Sequence, residues 1–171
     1  MIGFTGSRNL DDRHQALVSG LVQSLADAGR VELCVGCANG LDAMVRAAAP
    51  YATVFDVKSG RWGQGRNAYA ARSADMVKAI AQGDRPGLVG VASSPCPDRI
   101  VPARRWVSGQ PPSGTWSTIA FAIGLDIKTT IFIVDDGQLP RWAAGAWVPA
   151  GRGLWADGAL WKAEEKQLFL F

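Results

Sequence analysis

The sequence predicts an α/β three-layer sandwich, a mostly parallel sheet of five strands or slightly more with helices on both faces. Two observations carry that prediction. Short apolar runs alternate with stretches of helical periodicity over residues 1–134, the pattern of strand–helix–strand units. Several of those runs break into glycine and small polar residues directly before a helix begins. The composition, 48% hydrophobic and 19% charged over 171 residues, is that of an ordinary globular domain with a real core.

Each element follows from its own residues. Residues 2–5 form a short buried strand. Over 11–29 a stripe of Leu17, Val18, Leu21, Val22 and Leu25 predicts a helix that stops at Gly29. Residues 31–35 give a second strand, 41–49 a helix closed by Pro50, and 52–57 a third strand. A helix follows over 66–82 and a fourth strand over 87–92. Residues 93–113 form a long loop holding Pro95, Pro97, Pro102, Pro111 and Pro112; in a compact domain such a loop is functional or mobile. A helix over 115–125 and a strand over 129–134 complete a Rossmann-like order. Ligands of such sheets sit at the carboxyl ends of the strands, near the switch in strand order.

Charge and cysteine content narrow the setting. The net charge is only +3, yet Lys58, Arg61, Arg66, Arg72, Lys78, Arg85, Arg99, Arg104 and Arg105 face just Asp75, Asp84 and Asp98 across that stretch. This balance suits a polyanionic ligand or a solvated face. Three cysteines with no export signal suggest reduced thiols in a cytoplasm. No apolar run is long enough to span a membrane.

The chemistry concentrates in glycine turns before helices, where backbone N–H groups attract anions. In Gly6-Ser7-Arg8 the glycine permits a tight turn, the serine offers a hydroxyl and the arginine a fork for phosphate. In the second turn, Gly36 and Gly40 permit close backbone approach and Asn39 can cap the helix. Asp42 there either complements the helix dipole or accepts from a ribose or base. Arg66-Asn67 opens a third helix, with Ser73 on the face of Arg66 and Asp75 near the opposite side. Ser113-Gly114-Thr115 makes one more anion-type turn, in which Ser113 or Thr115 can simply cap. Cys34 and Cys37 match C-x-x-C, but without a second close pair no metal site is expected. His14, the only histidine, is expected on the surface of the first helix.

Gly6-Ser7-Arg8, Gly36…Gly40-Leu41-Asp42, Arg66-Asn67…Asp75 and Ser113-Gly114-Thr115 together resemble the SLOG superfamily of Rossmann-like proteins. That group includes the DNA-processing protein DprA (Smf), the YspA-like proteins and the LOG phosphoribohydrolases. The resemblance implies a pocket lined by the glycine turns, Arg8 and Arg66. It departs from the LOG enzymes at Thr118, where they carry a catalytic glutamate, so holding a ligand is expected rather than cleaving it. Asp42, Asp75 and Asp126 are carboxylates open to an enzymatic reading, none with a partner identifiable from spacing; such an enzyme would be a nucleotide-directed hydrolase.

After residue 134 the pattern changes. A Trp-rich extension over 135–162 holds Trp142, Trp147, Trp155 and Trp161, which either pack on the sheet or stack bases. The tail over 163–171 contains Gln167, Leu168, Leu170 and Phe171, similar to the peptide by which bacterial replication proteins bind the sliding clamp. The whole chain therefore reads as a binder of single-stranded DNA in a DprA-like processing role, with a free nucleotide as the alternative ligand. The sliding clamp is a candidate partner, no cofactor is expected, and a homodimer is left open.

Overall fold

The computed structural model describes residues 1–29, 31–107, 112–140, 142 and 145–163. Five parallel strands form the predicted sheet: β1 (Ile2–Gly6), β2 (Leu33–Gly36), β3 (Thr53–Phe55), β4 (Gly87–Ala92) and β5 (Lys128–Ile133). They lie in the order β3-β2-β1-β4-β5, so the strand order reverses between β1 and β4.

The helices α1 (Gln15–Asp27), α2 (Leu41–Ala48), α3 (Arg66–Ala81) and α4 (Gly114–Gly124) cover the two faces. Strand side chains alternate in direction, and the core divides accordingly. Leu33 and Val35 join Val18, Leu21, Leu41 and Val45 on the α1–α2 side. Cys34 joins Met76, Ile80, Trp116 and Ile119 on the α3–α4 side. This is the Rossmann-like three-layer sandwich read from the alternating pattern. Among the described residues no helix is long and apolar enough to cross a membrane.

Helix α1 begins at Gln15, later than the start at residue 11 that the sequence predicts. Asp11 accepts from the Arg13 N–H at 3.1 Å and starts a 3-10 turn over Asp12–His14. That tighter turn, with three residues per turn, carries His14 inward, which corrects the expectation of a surface histidine. His14 is 9% exposed, with Nδ1 3.1 Å from Asp11 and Nε2 3.4 Å from Asp135.

The Trp-rich extension enlarges the sheet to seven strands. β7 (Gly158–Ala163) pairs antiparallel with β5, and β6 (Gly145–Pro149) pairs antiparallel with β7. Its tryptophans pack rather than present open faces. Trp142 touches Trp116, Trp147 and Trp161 with centroids 5.7–6.1 Å apart, near the edge-to-face optimum. Three of their indole N–H groups are also spent: Trp142 donates to the Ile100 carbonyl, Trp147 to that of Pro140, and Trp155 to Ser24 Oγ on α1.

The same contacts anchor the proline-rich loop before α4. Ile100 is fully buried, and Trp116 donates to the Ser94 carbonyl at 2.9 Å. The described part of this loop is thus pinned to α4 and the extension. Gln167, Leu168, Leu170 and Phe171 lie outside the described residues.

Candidate functional site

A cleft of about 450 Å³ opens at the carboxyl end of β1, where the strand order reverses. Its walls come from the β1–α1 turn, the β2–α2 turn, the N-terminal half of α3, the loop before α4 and the first turn of α4. In open α/β sheets ligands bind at such a switch in strand order.

Ser7 ties the walls together. Its N–H donates to the Val91 carbonyl at 3.0 Å, and its own carbonyl accepts from the Leu41 N–H at 3.1 Å. Its hydroxyl accepts from the Ser93 N–H at 3.0 Å. Ser7 therefore holds three turns in register and does not itself line the cleft. The approach of α2 to this knot requires Gly40, whose φ of 64° belongs to glycine; a side chain there would strike the Ser7 and Arg8 backbone. Gly40 is also the cap residue of α2, and its cap carries no side-chain hydrogen bond. Asn39 therefore does not cap the helix, and it is exposed.

Gly36 is needed for a different close approach than a ligand's. The guanidinium of Arg72 and the carboxylate of Asp42 lie where its side chain would be. Arg72 Nη1 stands 3.6 Å from Asp42 Oδ2, and both side chains are more than nine-tenths buried. Asp42 also accepts from the Ala38 N–H at 3.1 Å. Burial pushes the Asp42 carboxyl above its ordinary value, and Arg72, the Ala38 N–H, Arg46 and Arg8 oppose that rise. Arg46 braces the turn from behind, donating to the carbonyls of Gly36 and Ala38.

Arg8 is exposed at the mouth, its guanidinium 4.7 Å from the Tyr69 ring centroid, a cation–π contact that orients the cation at little cost. Opposite lies the first turn of α4. Ser113 caps it by accepting from the Trp116 N–H at 3.3 Å, so the capping role read for Ser113 is real. Gly114 and Thr115 follow in the cleft wall, at positions whose N–H groups have no acceptor within the helix.

Of the residues singled out in the sequence, Gly6, Arg8, Asp42, Ser113, Gly114 and Thr115 meet in this one cleft. Ser7, Gly36 and Gly40 shape it from behind. Asn67 is exposed on α3 outside the lining, and Arg66 opens α3 with its side chain outside the described parts. Asp75 serves the fold: it accepts from Trp62 Nε1 at 2.8 Å and sits 3.6 Å from both Arg61 and Lys78. Asp126 pairs with Arg104 on the surface.

Sequence reading missed Tyr69, Arg72 and Trp106 as cleft residues. Tyr69, Arg72 and Ser73 recur three and four residues apart on one face of α3, a spacing that marks them once α3 is known to border the site. Thr118 also lines the cleft, and its hydroxyl donates to the Gly114 carbonyl at 2.7 Å. Among the described residues Asp42 is the one carboxylate in the lining. Of the C-x-x-C pair, Cys34 is buried in β2, its thiol pushed up to about 12 by desolvation. Among the described residues no three His, Cys, Asp or Glu side chains gather as a metal site. No family model, curated protein or solved structure matches the chain.

Proposed function

We propose that this protein binds a phosphate-bearing nucleotide in the cleft and holds it without cleaving it. The observation that carries this reading is the meeting of Arg8, the open first turn of α4 and the Tyr69 and Trp106 rings around one space of about 450 Å³. Helix N–H groups and a guanidinium match phosphate, and aromatic rings match a base. The space suits one nucleotide. Thr118, at the position where the SLOG resemblance implies a LOG-type glutamate, offers no carboxylate for proton transfer.

Single-stranded DNA is the second ligand, favoured by the basic stretch between Lys58 and Arg105. Four of those cations, Arg61, Arg72, Lys78 and Arg104, turn to Asp75, Asp42 and Asp126. The cleft therefore carries more of the argument than a charged track does.

Titration calorimetry with nucleoside monophosphates and with a single-stranded oligonucleotide, each across a range of salt, separates the two ligands. We expect saturable nucleotide binding that weakens about tenfold in Arg8→Ala, the loss of one charge-assisted contact. Absent nucleotide binding, with oligonucleotide affinity falling steeply with salt, would replace the first reading by the second.

The tail is a separate proposal resting on its sequence. Gln167, Leu168, Leu170 and Phe171 would dock on a sliding clamp. Removing residues 167–171 should end co-elution with the clamp and leave nucleotide affinity unchanged.

A further inference from the structure

The floor of the cleft is paired in an unusual way. Arg72 is 5% exposed, and its Nη1 stands 3.6 Å from the Asp42 carboxylate, too far for a hydrogen bond. Its Nε is buried with no hydrogen-bond partner among the described residues. A buried guanidinium N–H left without an acceptor is costly, and the Nη groups of the same side chain bring further donors to the cleft. Asp42, beside it, is an acceptor whose Oδ2 already holds the Ala38 N–H. The same two side chains line the cleft.

A second phosphate does not fit this floor. Phosphate offers acceptors alone, and its charge would stand against the Asp42 carboxylate in a site shielded from water. Hydroxyl groups do fit, because each both donates and accepts. Two adjacent hydroxyls can donate a hydrogen bond to Asp42 and accept one from Arg72 together. Gly36 keeps the two side chains at this height, since any side chain there would displace both.

We infer that the Asp42–Arg72 pair reads the vicinal diol of a ribose, so that the ligand is a ribonucleotide with free 2′ and 3′ hydroxyls. This rests on the nucleotide reading above and adds an orientation to it. The phosphate lies at Arg8 and the Gly114–Thr115 turn, the sugar edge on the floor, and the base toward Tyr69 and Trp106. A strand of DNA, lacking the 2′ hydroxyl and with its 3′ oxygen esterified, leaves the floor unmet.

The test is calorimetry on the full chain with the four ribonucleoside 5′-monophosphates, their 2′,3′-dideoxy counterparts and ribose 5-phosphate. At least one ribonucleotide should bind about tenfold or more tighter than its dideoxy counterpart, the cost of leaving buried polar groups unmet. Ribose 5-phosphate should bind more weakly than the nucleotide yet compete with it. In Asp42→Asn and Arg72→Lys the ratio should fall toward one. Equal affinity for the ribo and dideoxy forms in the unaltered protein overturns the diol reading and leaves nucleotide binding standing. Failure of every one of these compounds to bind overturns both. The comparison in the unaltered protein decides the matter even if a variant fails to fold.

Discussion

Asp42 and Asp75 began as equivalent candidates, and their surroundings drive them in opposite directions. Burial pushes Asp42 up, while Asp75 is held below its ordinary value of 3.8, chiefly by the Trp62 indole N–H, with Lys78 and Arg61 adding to it against desolvation. The sign of the pH dependence follows. A lowered carboxyl adds stability that is fully present above 3.8 and is lost as pH falls through its lower folded value. A raised one makes stability fall as pH climbs from 3.8 through its folded value. Trp62→Phe should therefore return the Asp75 carboxyl toward 3.8, as read by carbon-detected NMR titration, and shrink the loss of stability in acid. An unchanged Asp75 titration in that variant would show that the indole does not set it.

Residue-level reading also marks where sequence patterns stop. Gly36 and Gly40 were legible as glycines that something approaches closely. What approaches is the protein's own Arg72 and Asp42 in one case, and the Ser7–Arg8 backbone in the other. A glycine announces a close contact without naming its partner. Arg72 was hidden for a related reason: a cation counted within a basic stretch looks solvated until the fold buries it against a carboxylate.

At the scale of elements, the strand–helix alternation was legible because each buried parallel strand is a short continuous apolar run. The β6–β7 hairpin was not. Its strands mix tryptophan with glycine and alanine, show no clean alternation, and β6 ends on Pro149, a residue tolerated at a sheet edge. Their stability comes from the tryptophan cluster, which joins residues far apart in sequence and leaves no local periodicity. Trp142 is its centre, touching Trp116, Trp147 and Trp161 and holding the Ile100 carbonyl. Trp142→Ala should cost about 3–5 kcal/mol of folding stability and loosen the loop that carries Trp106 to the cleft. Chemical denaturation measures the first effect, and faster amide exchange at residues 100–106 the second. A loss below about 1 kcal/mol would mean the cluster does not anchor the extension.

On the scale of the molecule, the site is a consequence of strand order. The reversal between β1 and β4 leaves a gap at their carboxyl ends, and the glycine turns, α3 and the loop before α4 close around it. The sequence motifs named most of the cleft's rim because turns carry local signals. They missed most of its floor and aromatic wall because side chains from α3 and the long loop meet there only after folding.

The central claim is that one ligand occupies this single cleft, and amide-resolved NMR titration with a ribonucleoside 5′-monophosphate tests it most directly. Saturable shifts should concentrate at Gly6, Arg8, Ala38, Tyr69, Gly114 and Thr115, with the Arg72 side-chain Nε–H signal moving in step. Shifts absent at saturating ligand, or gathered at the opposite strand ends around Glu32, Tyr51 and Arg85, would contradict it.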